Sequence, residues 1–84
     1  MRGNDVIVYS APHCKACELV KSYLRDRGVR YEEVDISLDQ EAREAMVRMT
    51  GQMGVPVAQL GDRFVIGFSR RRLDELLQNC VAMV

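Results

Sequence analysis

Apolar residues along this chain form short blocks that alternate between strand-like and helical spacing. Residues 5–10 are rich in Val and Ile and stop before Pro12, which predicts a buried strand. Residues 14–27 place apolar side chains on one helical face, and Gly28 predicts the end of that helix. Residues 30–36 then predict a second strand. The predicted helical face consists of Ala16, Cys17, Val20, Tyr23 and Leu24.

A second helix is predicted downstream of that strand. Ser37 and Gln40 have the spacing of a capping box. In a capping box a serine side chain caps the helix, and the side chain of a glutamine three residues later bonds to the backbone N–H of that serine. The helix is expected to end near Gly51. Its inward-facing residues are predicted to be Ala42, Ala45, Met46 and Met49, and Met53 is interpreted with Met46 and Met49 as core or groove filler.

The last third of the chain predicts a hairpin and a third helix. Residues 56–60 and 63–66 are rich in apolar side chains and flank Gly61-Asp62, a turn signal between two strands. Ser69 then has the position of a helix cap. The apolar face of this helix is predicted to consist of Leu73, Leu76, Leu77 and Cys80.

The resulting element order is βαβαββα. Because a helical crossover joins the first two strands, we expect them to be parallel, and the tight hairpin makes the last two antiparallel. With 84 residues, 48% of them hydrophobic, the chain can bury one small core. We therefore predict an α/β fold that forms a single domain over residues 1–84.

Charge and the length of apolar runs exclude several classes of function. The 12 Lys and Arg balance the 12 Asp and Glu, so neither a nucleic-acid-binding excess nor a polybasic membrane anchor is present. No apolar run approaches the roughly 20 residues of a membrane span, and the run after Asp5 is too short for a signal-peptide core. Three cysteines, an odd number, do not suggest a secreted disulfide framework. We therefore expect a cytoplasmic protein with no nucleic-acid or membrane partner.

The strongest chemical signal is Cys14-Lys15-Ala16-Cys17, placed where the first strand ends and the first helix begins. The N–H groups and the positive dipole end of a helix favour a thiolate on the first cysteine, and the Lys15 cation favours the same charged form. A thiolate is the species that attacks disulfides. We therefore predict reversible dithiol–disulfide exchange, with Cys14 as nucleophile and Cys17 as buried resolving thiol. The pKa of Cys14 is expected below the ordinary thiol value of about 8.5.

Alternatives to this interpretation of the motif stay open. A CxxC pair can be half of a zinc site, whose other ligands would have to be His13 and Cys80. Because a second CxxC pair is missing, we predict no metal, and Cys80 is interpreted as a small buried hydrophobe rather than a third redox thiol. His13 either raises the positive potential near Cys14 or is an exposed spectator. Lys15 could equally be a solvated surface residue.

Over nearly its whole length the chain resembles a glutaredoxin, and three motifs in the same order and spacing carry the resemblance. They are the CxxC after the first strand, the Thr-Gly-Gln-Met-Gly-Val-Pro segment at 50–56, and Gly67-Phe68 before the last helix. The resemblance implies a thioredoxin-like fold, in which three helices flank a four-stranded mixed sheet with strand order 2-1-3-4. It also implies a cis peptide bond between Val55 and Pro56 beside the active site, a minority form among X-Pro bonds.

The same resemblance implies which residues contact the substrate. The backbone of Val55, held by Pro56, would pair with an extended substrate segment. Gln52 matches a position at which some glutaredoxins contact glutathione, and the segment 67–69 lies where the γ-glutamyl end of glutathione binds. The predicted substrate- or glutathione-binding residues are His13, Lys15, Gln52, Val55, Pro56, Gly67, Phe68 and Ser69.

Two departures from the typical dithiol glutaredoxin bear on the electron donor. Those proteins carry a Lys where this chain has Ala11, and an acid near the start of the last helix where this chain has Gly67-Phe68-Ser69-Arg70. The Gly-Phe pair instead resembles the NrdH-type redoxins, which thioredoxin reductase recharges and which pass electrons to ribonucleotide reductase. The expected reductant is glutathione or a thioredoxin-reductase-like flavoenzyme, with the flavoenzyme favoured.

These inferences predict a monomeric enzyme, a protein-disulfide reductase of the glutaredoxin or NrdH-redoxin type. It would carry electrons to disulfide-containing proteins and hold no bound cofactor. The alternatives are a glutathione-dependent glutaredoxin and a module that binds an iron–sulfur cluster between two subunits.

Residues before and within the start of the last helix each have more than one interpretation. Gly67 either needs a positive φ or permits close approach of a substrate backbone, and Phe68 is either core or a surface contact. Arg70, Arg71 and Arg72 place cations at the positive end of a helix dipole. An acidic partner, an anionic ligand or plain solvation would account for them.

Overall fold

The computed structural model describes the backbone of residues 6–81 and the side chains of residues 6–78. Asp5 of the first predicted strand and the side chain of Cys80 lie outside these described residues. The elements are β1 (Val6–Ser10), α1 (Lys15–Asp26), β2 (Tyr31–Asp35), α2 (Gln40–Thr50), β3 (Val57–Leu60), β4 (Arg63–Ile66) and α3 (Arg70–Val81). The order βαβαββα is therefore confirmed.

The four strands form one sheet in the order β2-β1-β3-β4. β1 runs parallel to β2, whereas β3 is antiparallel to both β1 and β4. The sheet and its three helices make up the thioredoxin-like fold that the resemblance implied. Within residues 6–81, no helix is both long and apolar enough to cross a membrane.

The sheet separates two apolar clusters, one on each face. Alternate residues of β1 point to opposite faces, so Val8 joins one cluster and Tyr9 joins the other. The first cluster packs α1 and α3 on the sheet, through Val6, Val8, Val20, Leu24, Ala58, Val65, Leu73, Leu76 and Leu77. The second packs α2 on the other face, through Tyr9, Ile36, Met46 and Val57. These clusters fix the sheet between its helices, and with it the loops at the end where β1 leads to Cys14.

The predicted cap of α2 is wrong. Asp39 is the N-cap, because its carboxylate accepts the N–H of Ala42 at 3.0 Å. Ser37 lies in the preceding turn, where its N–H and its hydroxyl donate to Asp35 Oδ1 at 2.8 and 2.6 Å. The carboxylate at the end of β2 engages the serine locally, as Asp side chains do in turns. The helix therefore begins two residues after the point that the capping-box spacing indicated.

The predicted end of α2 and the predicted cap of α3 are confirmed. Gly51 ends α2 in the left-handed conformation (φ 80°), and its N–H donates to the carbonyl of Val47 at 2.7 Å. Ser69 caps α3, since its Oγ accepts the N–H of Arg72 at 3.3 Å. The chain therefore enters α3 directly from the loop that follows β4.

Candidate active site

The loop after β1 delivers Cys14 to the N-terminus of α1. Cys14 has extended backbone angles (φ −108°, ψ 104°) and is the N-cap of the helix, so α1 begins one residue later than predicted. Its Sγ accepts the N–H of Cys17 at 3.1 Å. The sulfur thus occupies the place that a Ser or Asp oxygen usually takes at a helix start. That position directs backbone N–H groups and the positive end of the helix dipole at the sulfur.

The two cysteines of the motif differ in access to solvent. They are joined by a disulfide, with their Cα atoms 5.2 Å apart, well within the usual disulfide range. Cys14 is half-buried, whereas Cys17 is 1% exposed and belongs to the core. An incoming substrate sulfur can therefore reach the first cysteine, while the second is placed to react only within the protein.

His13 and Lys15 flank Cys14, and both are exposed. His13 has a positive φ of 60°, which a non-glycine residue rarely adopts. Among the described residues, neither side chain has an ion pair or a hydrogen bond. The structure therefore leaves both free to face a substrate.

The cis-proline loop meets the CxxC loop at one end of the sheet. Val55-Pro56 is a cis peptide, as the resemblance implied. Tyr9 pairs with Val57 in the antiparallel register, so the end of β1 that leads to Cys14 lies beside this proline. Pro56 is buried and Val55 is half-buried. This arrangement brings the predicted proline and cysteine elements together.

The loop after β4 joins the same end. Gly67 has a φ of 79°, and its N–H donates to the carbonyl of Pro56 at 2.8 Å. This bond ties the segment before α3 to the cis-proline loop. The conformational interpretation of Gly67 is thus correct, since a side chain at this φ would be strained.

The loop between α2 and the cis proline is more exposed than its sequence indicated. Met53 is 59% exposed, so its interpretation as core or groove filler is wrong, whereas Met46 is fully buried. Met53 follows the C-cap Gly51 and has left the helical face that packs on the sheet. Gln52 is exposed, and a side chain at Gly54 would meet its Nε2 at 3.2 Å. The amide of Gln52 therefore lies over Gly54 at the site's rim.

Phe68 is a packing residue to a large extent. It is half-buried against the first apolar cluster and meets the ring of Tyr23 edge-on, with centroids 6.2 Å apart. The Tyr23 hydroxyl donates to Asp74 and accepts from Arg27 at 2.6 Å, and Arg27 also pairs with Asp74 at 2.5 Å. The bond to Asp74 is the main cause that raises the pKa of Tyr23. This network ties α1 to α3 and was not foreseen from the sequence.

A second unforeseen polar network lies under α1, on the face that carries Cys17. Ser10 is 2% exposed and donates its hydroxyl to Glu33 Oε2 at 2.8 Å. Lys21 reaches the same oxygen at 2.8 Å and Glu18 at 2.9 Å. Lys21 and Ser10, in that order, lower the pKa of Glu33, while Glu33 and then Glu18 raise the pKa of Lys21. Lys21 is four residues after Cys17, so the two share one helix face.

The zinc alternative gains no ligand set from this geometry. Among the described side chains, no group of three or more His, Cys, Asp and Glu could hold a metal ion. The side chain of Cys80, which that alternative required, lies outside them. The exchange chemistry of Cys14 and Cys17 is what the described arrangement favours.

Comparisons with known proteins agree with this geometry. The glutaredoxin family model matches residues 6–65. A glutaredoxin-like 8.6 kDa protein from a rubredoxin operon of Clostridium pasteurianum is 31% identical over 71 residues, which cover 84% of this chain and 95% of that protein. The match thus spans both the cysteine motif and the cis proline.

Solved structures give the same result. A glutaredoxin from Archaeoglobus fulgidus superposes with a TM-score of 0.81 at 27% identity, over 87% of this chain and 85% of that one. The glutaredoxin-like NrdH-redoxin of Escherichia coli, described with a thioredoxin-like activity profile, superposes with a TM-score of 0.77 at 28% identity, over 86% and 93% of the two chains.

Proposed function

The chain belongs to the glutaredoxin family, a family of thiol–disulfide oxidoreductases, and from this premise we propose that it reduces disulfides of other proteins as a dithiol electron carrier. One observation carries the proposal. A half-buried cysteine sulfur caps α1, and its disulfide partner, Cys17, is buried one turn further along. This is the asymmetry that a nucleophile and a resolving thiol need.

The reaction begins from the dithiol form. The thiolate of Cys14 attacks one sulfur of the substrate disulfide, forms a mixed disulfide and releases the other substrate sulfur, which takes a proton. Cys17, as thiolate, then attacks Cys14 Sγ, and the second substrate thiol leaves. The substrate gains two electrons and two protons, and this protein is left with the Cys14–Cys17 disulfide. A separate reductant must return the two electrons before the next turnover.

The surrounding loops orient the substrate. The half-buried Val55 precedes the cis proline, beside the end of β1 that leads to the cysteines. In this proposal its backbone pairs with an extended substrate segment. Gly67 presents no side chain next to Pro56, which leaves room for that segment. The exposed Lys15 supports the thiolate through its charge.

For the reductant, we propose a thioredoxin-reductase-like flavoenzyme rather than glutathione. Ala11 offers no cation for a glutathione carboxylate, and Gly67-Phe68-Ser69-Arg70 offers no acid for its amino group. Charge-assisted hydrogen bonds of this kind are worth roughly 1.5–3 kcal/mol each. Their joint loss should weaken glutathione recognition more than tenfold. The similarity to the E. coli NrdH-redoxin supports the same choice.

A direct assay tests the proposal. The reduced protein is mixed with a peptide that contains one disulfide, and the release of peptide thiols is followed as the Cys14–Cys17 disulfide forms. Two peptide thiols should appear per protein molecule, and Cys14→Ser should release none. Reduction that continues unchanged in Cys14→Ser would refute the assignment of the nucleophile.

A further inference from the structure

Four arginines form an exposed basic surface along one edge of the molecule. Arg63 begins β4, and Arg70, Arg71 and Arg72 form the first turn of α3. All four are exposed. We call these four residues the arginine row.

The fold makes little use of the arginine row. Arg71 Nε lies 4.0 Å from Glu75 Oε2, a long and solvent-exposed pair. Within the part of the chain that the structure describes, no carboxylate lies within 4.0 Å of Arg63, Arg70 or Arg72. By contrast, Arg27 pairs with Asp74 at 2.5 Å and holds two helices together. The row therefore carries positive charge that the described structure does not neutralise closely.

The row runs from the active-site end of the sheet toward its opposite end. Gly67 is hydrogen-bonded to Pro56, and Arg70 comes three residues after Gly67. Among residues 6–81, β4 pairs with β3 alone, so no described strand covers its outer edge. Beside that edge lies a groove of about 130 Å³, lined by Arg63, Phe64, Val65, Arg72, Glu75 and Leu76. The groove thus brings arginines of two elements together around apolar side chains.

Phe64 gives this surface an apolar contact point. It directly follows Arg63 on the edge strand, is 36% exposed and lines the same groove. Exposed apolar surface flanked by arginines is a common composition of protein interfaces. Cationic side chains beside an open strand edge fit an extended polypeptide that carries carboxylates.

We propose that the arginine row docks an acidic segment of the protein whose disulfide is reduced. The inference rests on the proposed function and adds the chemistry of the partner: an extended stretch rich in Asp or Glu, next to the reactive disulfide. The segment would leave the site past Gly67 and follow β4 toward Arg63. Glu75 lines the groove with Arg63 and Arg72, and Asp62 directly precedes Arg63, so the preference is expected to be strongest for acids near Arg70.

Three synthetic peptides test this docking. Each holds the same disulfide-bonded cysteine pair, flanked on both sides by about four residues, which span four strand positions. The flanks are all Glu, all Ser or all Lys. At low ionic strength the Glu peptide should be reduced roughly tenfold faster than the Ser peptide, and the Lys peptide more slowly than both. Because the Debye length falls to about 3 Å at 1 M salt, the preference should disappear there.

The test variant is the double substitution Arg70→Glu/Arg72→Glu. It should remove or reverse the preference for the Glu peptide while the Ser peptide is still reduced. Acidic residues in the first turn complement the helix dipole, so the same variant should melt at or above the wild-type temperature. Arg30→Glu/Arg43→Glu, with the same change in net charge outside the row, serves as the control and should keep the preference.

The outcomes are distinguishable. No reduction of any peptide by the wild-type protein would contradict the proposed function itself. Equal rates for the Glu and Ser peptides, or equal loss of the preference in both double variants, would overturn the docking inference alone. Tighter binding of a single-stranded oligothymidylate than of the Glu peptide, lost in the row variant, would make the row a nucleic-acid contact and would also overturn it.

Discussion

The N-termini of α1 and α3 lie at the same end of the sheet but carry opposite electrostatic arrangements. At α1, a cysteine sulfur is the cap and Glu18 is in the first turn, so the positive end of the helix faces groups that are or can become anions. At α3, Ser69 is the cap and three arginines follow, with no acid in the first turn. The first arrangement is complete within the chain, whereas the second calls for an anion from outside.

The difference separates reactivity from recognition. α1 directs the N–H of Cys17 at the sulfur that we propose as the nucleophile. The cation further along α1 is used within the chain, since Lys21 pairs with Glu33 and Glu18. The three arginines of α3 are exposed, and Gly67 in the segment that leads into this helix is bonded to Pro56 of the cis-proline loop. Two helix starts of similar geometry can thus serve one reaction in different ways, one by activating a group and the other by attracting a partner.

The largest effect should come from removing the sulfur that caps α1. Cys14→Ser is expected to abolish disulfide reduction, because a hydroxyl does not attack disulfides at neutral pH. Cys17→Ser should instead accumulate a mixed disulfide between Cys14 and the substrate, because the resolving thiol is lost. Mass spectrometry after reaction with an oxidised peptide distinguishes the two. A trapped adduct on Cys17 in the Cys14→Ser protein, with no adduct in the Cys17→Ser protein, would reverse the two roles.

The choice of reductant should show the next largest effect. We expect the oxidised protein to be reduced by thioredoxin reductase with NADPH at a kcat/KM at least tenfold above that with glutathione and glutathione reductase. The reason is the loss of both charged contacts that glutathione would need. Ala11→Lys provides a matched variant, in which the glutathione rate should rise. Equal or faster turnover with glutathione in the wild-type protein would instead make the chain an ordinary glutathione-dependent glutaredoxin.

The serine cap of α3 should have a smaller effect, measured here on stability. Ser69→Ala removes the acceptor of the Arg72 N–H and should lower the free energy of unfolding by about 1 kcal/mol. Asp39→Ala at the start of α2 is the matched control, with a similar loss expected. Urea denaturation measures both. If Ser69→Ala left stability unchanged while Asp39→Ala reduced it, the arginine-rich helix start would not depend on its serine cap.

The smallest effect should come from breaking the ion pair between Lys21 of α1 and Glu33. Lys21 and Ser10 lower the pKa of Glu33, so their stabilisation is present above the unfolded-state value of about 4.3 and is lost as the pH falls through the folded value. Glu33→Gln should therefore destabilise the protein at neutral pH and converge with wild type in acid. The stability difference between the two proteins is measured from their urea midpoints between pH 3 and pH 7, a range that spans the ordinary glutamate pKa. A difference that does not change with pH would contradict the ion-pair account.

Local sequence rules recovered those features of the fold that depend on neighbouring residues. Apolar spacing placed all seven elements, and Gly51 and Ser69 marked helix boundaries correctly. Ser37 failed because Asp35, two residues earlier, competes for it. The family resemblance, not the spacing, supplied the strand order and the cis peptide at Val55-Pro56.

Other features of the site depend on contacts between distant parts of the chain. Tyr23 and Asp74 are 51 residues apart, and Ser10 and Glu33 are 23 residues apart, so no local sequence pattern predicts either hydrogen bond. Tyr23 was assigned to an apolar face, which describes its ring but not its hydroxyl. Met53 was misassigned because composition alone cannot tell a loop methionine from a core one.

The pKa of Cys14 is the quantity on which the account depends most directly. It is measured by following ultraviolet thiolate absorbance against pH in a Cys17→Ser/Cys80→Ser protein, in which Cys14 is the one remaining thiol. The account predicts a pKa below the ordinary value of about 8.5, and a higher value when Lys15→Glu is added. A Cys14 that titrates at the ordinary value would mean that the start of α1 does not activate its sulfur, and would contradict the assignment of this helix start as the reactive centre.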